Sequence, residues 1–243
     1  PASWDIGMGV NFSALYAYYL ASPVNWLLIL CPKKFIIEFM TILIVLKTGL
    51  SGLSFSWYLK KHFGVKKFGV GFFGIFYALS GYMAAYSWNI MWLDCIMLFP
   101  LILLGLEQLV KEKKGTLYCI TLGLSILSNY YISIMICIFM VIYVIAQMTL
   151  NPPKSFGEFM GTGLRFAFYS LLAGGLAAVV LLPEIYALQV TASGDFDFPK
   201  TFSSYFSIFD MIARHIGNVG TEIGLDHWPN IYCGVAVLMF FLL

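Results

Sequence analysis

Lys47 lies inside an apolar run from Phe35 to Leu59, and Asp94 closes the turn Trp88-Asn89-Ile90-Met91-Trp92-Leu93-Asp94. A lone ammonium at mid-membrane depth costs about 2.5–3.5 kcal/mol on insertion scales. A chain keeps it there where it meets an acid, a carbonyl or an aqueous cavity. Lys47 can then bind a phosphate as a point charge, or pair inside the bundle. Asp94 reads as a catalytic or ligand carboxylate at the mouth of a cavity, or as an acid favoured by the dipole of a helix start. Trp88, Asn89 and Trp92 offer stacking faces and hydrogen bonds to a sugar or lipid headgroup; an interfacial aromatic belt is the plainer reading. Lys47 sits roughly 18 Å down its helix and Asp94 about 6 Å down its own. Snorkelling adds about 6 Å of reach, so direct contact is marginal and a water or another polar group is expected between them.

Further candidates lie at turns. Asn129 and Tyr130, with Tyr131, form a second outer turn that either touches sugar or lipid or caps a helix. Asp5, in Trp4-Asp5-Ile6-Gly7-Met8-Gly9, is a second candidate catalytic acid; the two glycines are a weak phosphate-loop feature without a following Lys-Ser/Thr. Trp228-Pro229-Asn230 enters the last apolar run as an ordinary helix start. Glu184, after Pro183, either faces the outer cavity or ends a helix. His215, Glu222, Asp226 and His227 read as solvated surface, so no metal site is assigned and the need for a divalent ion stays open. Glu107, Glu112 and the lysines of 111–114 read as an inner rim. The five cysteines stand singly, without metal or redox spacing.

These residues need elements to position them. The chain has 243 residues, 60% apolar and 11% charged, against about 25% charged in soluble domains; the solvent of so apolar a chain is largely lipid. A net charge of +2 and the lack of a basic, aromatic-interleaved stripe exclude a nucleic-acid binder. Apolar runs predict spans near 35–59, 68–86, 91–109, 116–129, 132–149, 164–182 and 231–243. Alternating them puts Lys60, Lys61, Lys66, Lys67, Lys111, Lys113, Lys114, Lys154 and Arg165 on one side, cytoplasmic by the positive-inside rule. Lys33, Lys34, Lys200 and Arg214 fall on the other. The fold class is all-α, a polytopic transmembrane bundle: an outer interfacial segment over 1–34, a bundle of about six spans over 35–182, a long outer loop over 183–230 and the start of a further span over 231–243. The loop carries Asp195, Asp197, Asp210, Glu222 and Asp226, and a connection of such length is usually functional. The chain starts at Pro1 and stops at Leu243 inside an apolar run, and so reads as a piece of a longer protein.

Taken in order, several segments resemble the YfhO family of bacterial multi-spanning membrane proteins. They are Ser3-Trp4-Asp5-Ile6-Gly7-Met8-Gly9-Val10-Asn11-Phe12, Tyr18-Tyr19-Leu20-Ala21-Ser22-Pro23, Leu46-Lys47-Thr48-Gly49-Leu50-Ser51-Gly52-Leu53, Tyr77-Ala78-Leu79-Ser80-Gly81-Tyr82, Tyr86-Ser87 before the Trp88–Asp94 turn, Ser128-Asn129-Tyr130-Tyr131 and Pro229-Asn230-Ile231-Tyr232-Cys233-Gly234. The resemblance implies a GT-C type glycosyltransferase fold in a bacterial cell membrane. It implies transfer of a sugar from a polyprenyl-phosphate donor to a cell-envelope polymer such as lipoteichoic acid on the outer face. The likeliest catalytic acid of such enzymes then precedes residue 1. Partners follow: membrane lipid, the lipid-linked sugar and the acceptor polymer. A transporter of lipids or lipid-linked sugars and a non-catalytic membrane scaffold are the alternatives.

Overall fold

The computed structural model describes residues 2–3, 10–65, 68–189, 206–216, 220–221, 223, 229–235, 237 and 239. Helices dominate, as expected. Among the described residues the strand pairing is a two-residue antiparallel bridge between β1 (Ala2–Ser3) and β2 (Val10–Asn11). Next come α1 (Phe12–Leu15), a π-helical turn Tyr16–Leu20 and a 3-10 turn Asn25–Leu30. The break between these turns falls at Ser22-Pro23, where the Ser22 hydroxyl accepts from the Asn25 N–H at 3.2 Å.

The bundle consists of α2 (Ile36–His62), α3 (Val70–Ala78), α4 (Gly81–Tyr86), α5 (Leu93–Glu112), α6 (Thr116–Ser128), α7 (Tyr130–Leu150), α8 (Phe156–Leu176) and α9 (Ala178–Leu188). Among the described residues α2, α5 and α7 are long and apolar enough to cross a membrane; α8 and α9, bent by 77° at Ala177, add a fourth if taken as one broken span. The α3–α4 stretch and α6 are apolar but shorter. The run 164–182 therefore does not form one straight helix. Ser155 starts α8 early by accepting from the Glu158 N–H at 3.2 Å, and Gly174-Gly175 weaken the helix just before the bend. Helix α9 also runs through Leu188, into the segment expected to be loop. Further on, α10 (Ile208–Ala213) carries a Ser207–Asp210 capping box.

Helix α5 is the axis. Two-thirds of its apolar window is buried (67%), against 22% for α2 and 33% for α7. The outer flanks of α2 and α7 carry Ile37, Val45, Leu53, Ile138, Ile142 and Ile145, all exposed, as a lipid-facing surface requires. Two close approaches set the helix spacing. A methyl at Gly105 would collide with the backbone of Tyr118 on α6, and one at Gly74 with the Gly52 carbonyl and the Ser56 hydroxyl on α2.

The basic residues gather as the alternation of spans predicts. Lys111 and Lys154 line one cleft, and His62, beside Lys60 and Lys61, bonds to Glu107 on α5. Lys66 and Lys67 lie outside the described residues. Glu107 itself is not a rim residue. It is 4% exposed and accepts from Tyr58 at 3.1 Å and Tyr143 at 2.7 Å, with His62 at 2.7 Å and Lys111 at 3.2 Å. Its place on the buried face of α5 overrides its nearness to the helix end.

Candidate functional site

Lys47 occupies the middle of α2 and is fully buried. Its ammonium has three protons, and each finds an acceptor: Asn25 Oδ1 at 2.6 Å, Asp94 Oδ2 at 2.7 Å and the Ile90 carbonyl at 3.0 Å. The ion pair with Asp94 is therefore direct, with no intervening water or polar group. Successive tight turns, Asn89 N–H to the Tyr86 carbonyl and Trp92 N–H to the Asn89 carbonyl, both 2.9 Å, bring Ile90 and Asp94 within hydrogen-bond reach of Lys47. Breaking a buried pair of this kind by removing one partner typically costs about 3–5 kcal/mol.

Asn25 is the residue the sequence reading missed. It stands among apolar neighbours, Pro23-Val24 before it and Trp26-Leu27-Leu28-Ile29-Leu30 after it, the same feature that singles out Lys47. The segment 12–30 therefore does not merely rest on the bundle. Its first turns pack on α6, α7 and α9, and the 3-10 turn that carries Asn25 packs on α2.

A second group of expected residues surrounds Tyr18. Trp92 Nε1 donates to its hydroxyl at 3.2 Å, and Asn129 Nδ2 to its carbonyl at 3.1 Å. The Asn129 side-chain oxygen caps α7, accepting from the Ile132 N–H at 3.0 Å. Tyr130 meets the Tyr18 ring edge-on at 6.2 Å. Burial among these rings pushes the Tyr18 phenol above its ordinary range, so it remains a neutral donor and acceptor. Trp88 stands apart: it is 61% exposed and its indole N–H returns to the Ala85 carbonyl at 3.0 Å, the geometry of a belt residue. Asn89 is buried, and its Nδ2, like Asp94 Oδ1, has no hydrogen-bond partner among the described residues. Asp5 lies outside the described residues, as do Glu222, Asp226, His227 and Trp228. No group of three metal-binding side chains occurs among the described residues.

Beside this knot lies a cavity of about 750 Å³, walled by Phe12, Tyr16, Tyr19, Trp26, Met40 and Met91 and completed by Asn25 and Ile90. Two of the three acceptors of Lys47 thus form part of its wall. The size falls within the usual range for a small-molecule site, roughly 300–1,000 Å³.

An ion pair sealed inside a bundle whose flanks are apolar defines a polytopic helical membrane protein with a polar interior. The family model for the bacterial membrane protein YfhO matches residues 3–243, and the chain belongs to that family. The uncharacterized protein YfhO of Bacillus subtilis (strain 168) is 23% identical over 192 residues, covering 74% of this chain and 22% of that protein. The chain therefore spans about a fifth of the length of that relative. No solved structure matches it.

Proposed function

We propose that the chain contributes the donor-binding half of a GT-C type glycosyltransferase of the bacterial cell membrane, which moves a sugar from a polyprenyl phosphate to a cell-envelope polymer such as lipoteichoic acid. One observation carries the reading: the apolar cavity shares Asn25 and Ile90 with the ammonium of Lys47. A long isoprenoid needs an apolar, aromatic groove, and its phosphate needs a cation at the end of that groove. Lys47 supplies this when a phosphate oxygen replaces the Asn25 side-chain oxygen or the Ile90 carbonyl. Asp94 keeps the ammonium oriented throughout, and Lys47 offsets charge on the departing polyprenyl phosphate. Trp92, Asn129 and Tyr130 belong to the aromatic cluster above, suited to a sugar ring; Asn89 contributes its unpartnered amide. Asp5 remains a candidate acid.

The test is transfer from polyprenyl-phosphate glucose in proteoliposomes of the full-length protein. Lys47→Met is expected to lose donor binding and transfer, and Lys47→Arg to keep part of both. Full activity in Lys47→Met ends this site assignment. The 77° break between α8 and α9 supports a second reading, since broken helices also line transport paths. Movement of the intact lipid-linked sugar across the vesicle, with no new glycosidic bond, selects a transporter.

A further inference from the structure

Glu184 is a buried acid that the donor site does not use. It is 2% exposed, one residue past Pro183 in α9, and forms no ion pair among the described residues. Its polar contact is with the Tyr130 hydroxyl, and its Oε2 has no hydrogen-bond partner among the described residues. Asp94 also has an orphan oxygen, but its charge is matched by Lys47. A buried carboxylate with neither a cation nor a full set of donors is strongly unfavourable. Such a group fits a place where a ligand supplies the missing donor.

Its surroundings say which ligand. The bend at Ala177 brings α9 against the segment 12–20, packing Val180 with Ala17 and Ala21 beside Tyr16 and Tyr130. There a cleft of about 220 Å³ is lined by Phe12, Ser13, Tyr16, Ala17, Val180 and Pro183. Phe12 and Tyr16 also wall the larger cavity. The two spaces are neighbours along one segment, and Glu184 follows directly on Pro183, one turn beyond Val180, both in the wall of the smaller one.

We propose that Glu184 is the catalytic base for the acceptor, and that the smaller cleft receives the acceptor's hydroxyl-bearing end. The inference rests on the glycosyl-transfer reading. In the step, the acceptor O–H bond breaks and its proton passes to Glu184 Oε2. The acceptor oxygen forms a bond to the anomeric carbon, the bond from that carbon to the phosphate oxygen breaks, and its electron pair leaves with polyprenyl phosphate. The proton on Glu184 is then released to water. Tyr130 acts as a positioning residue by holding the carboxylate through its hydroxyl.

The experiment uses the full-length protein in proteoliposomes, with polyprenyl-phosphate glucose as probe donor and an oligo(glycerol phosphate) as probe acceptor. Glu184→Gln keeps shape and the contact with Tyr130 but cannot take a proton. It is expected to lower the transfer rate about 10²- to 10⁴-fold, with donor affinity unchanged. Transfer within twofold of wild type overturns the assignment, as does an equal loss of donor binding. If Glu184→Gln fails to fold, Glu184→Asp serves: it keeps the carboxylate but draws it back by one methylene, an approximately tenfold fall in kcat at unchanged donor KM is expected, and an unchanged kcat overturns the proposal. A full-length wild-type protein that transfers nothing refutes the glycosyl-transfer reading and removes this assignment with it. Transfer by wild type and Glu184→Gln alike removes the assignment alone.

Discussion

Replacing Lys47 by Met tests whether the interior is built around one ion pair. The substitution leaves Asn25 Oδ1, the Ile90 carbonyl and both carboxylate oxygens of Asp94 buried without the donor that now satisfies three of them. Both partners are almost wholly sequestered, with 0% and 1% side-chain exposure, so water cannot repair the loss cheaply. The expected cost is about 3–5 kcal/mol, which for a chain of this size corresponds to roughly 6–20 °C in Tm at about 2–4 °C per kcal/mol. Asp94→Asn is expected to cost a similar amount by stranding the ammonium. The double variant Lys47→Met/Asp94→Asn removes both charges and is expected to recover most of the loss, giving a coupling energy of about 2 kcal/mol or more. Thermal unfolding in detergent micelles, followed by size-exclusion fluorescence, reads all four corners of this cycle. Single variants within about 0.5 kcal/mol of wild type, the scatter of ordinary surface changes, refute the reasoning. So does a double variant whose loss is the sum of the two singles.

The second polar knot behaves alike: Glu107→Leu removes the shared acceptor of Tyr58, Tyr143, His62 and Lys111 and is expected to destabilise by about 2–4 kcal/mol in the same unfolding assay. A change below about 1 kcal/mol would show that the network is not formed. Gly105→Ala pushes a methyl into the Tyr118 backbone and is expected to cost about 1–3 kcal/mol, whereas Gly49→Ala, with nothing within 4 Å, is expected to be neutral or mildly stabilising. Equal melting temperatures for the two would contradict the α5–α6 close approach. For topology, a cysteine at Trp88 is expected to react with an impermeant maleimide added outside cells and one at Lys113 only after permeabilisation; the reverse pattern inverts the bundle.

Much of the architecture is legible in the residues because lipid imposes simple rules. Unbroken apolar runs predicted α2, α5 and α7, and the Ser128–Tyr131 break between α6 and α7 is visible because Asn129 is an obvious cap. The lysines predict a direction by the positive-inside rule, which the labelling experiment checks. Lys47 itself advertised a polar interior, because an ammonium in an apolar run demands a partner. Periodicity could not reveal the bend at Ala177, since the run across it is uniformly apolar and only packing against Phe12–Leu20 distinguishes a bent path from a straight one. Nor could it separate Glu107 from its neighbour Glu112, which differ only in the face of α5 on which they fall.

Sequence alone determined that this chain lies in a membrane and that at least one charge must be answered inside. Tertiary structure decided what answers it. The turn 87–92 descends beside α2, so Asp94 meets Lys47 directly. The 3-10 turn 25–30 packs on α2 and carries Asn25 into the same knot, and a bent α9 buries Glu184 next to a separate cleft. Those outcomes depend on helix lengths and crossings summed over the whole bundle, where a shift of a few ångströms makes or breaks a hydrogen bond, and no local run of residues encodes such a sum.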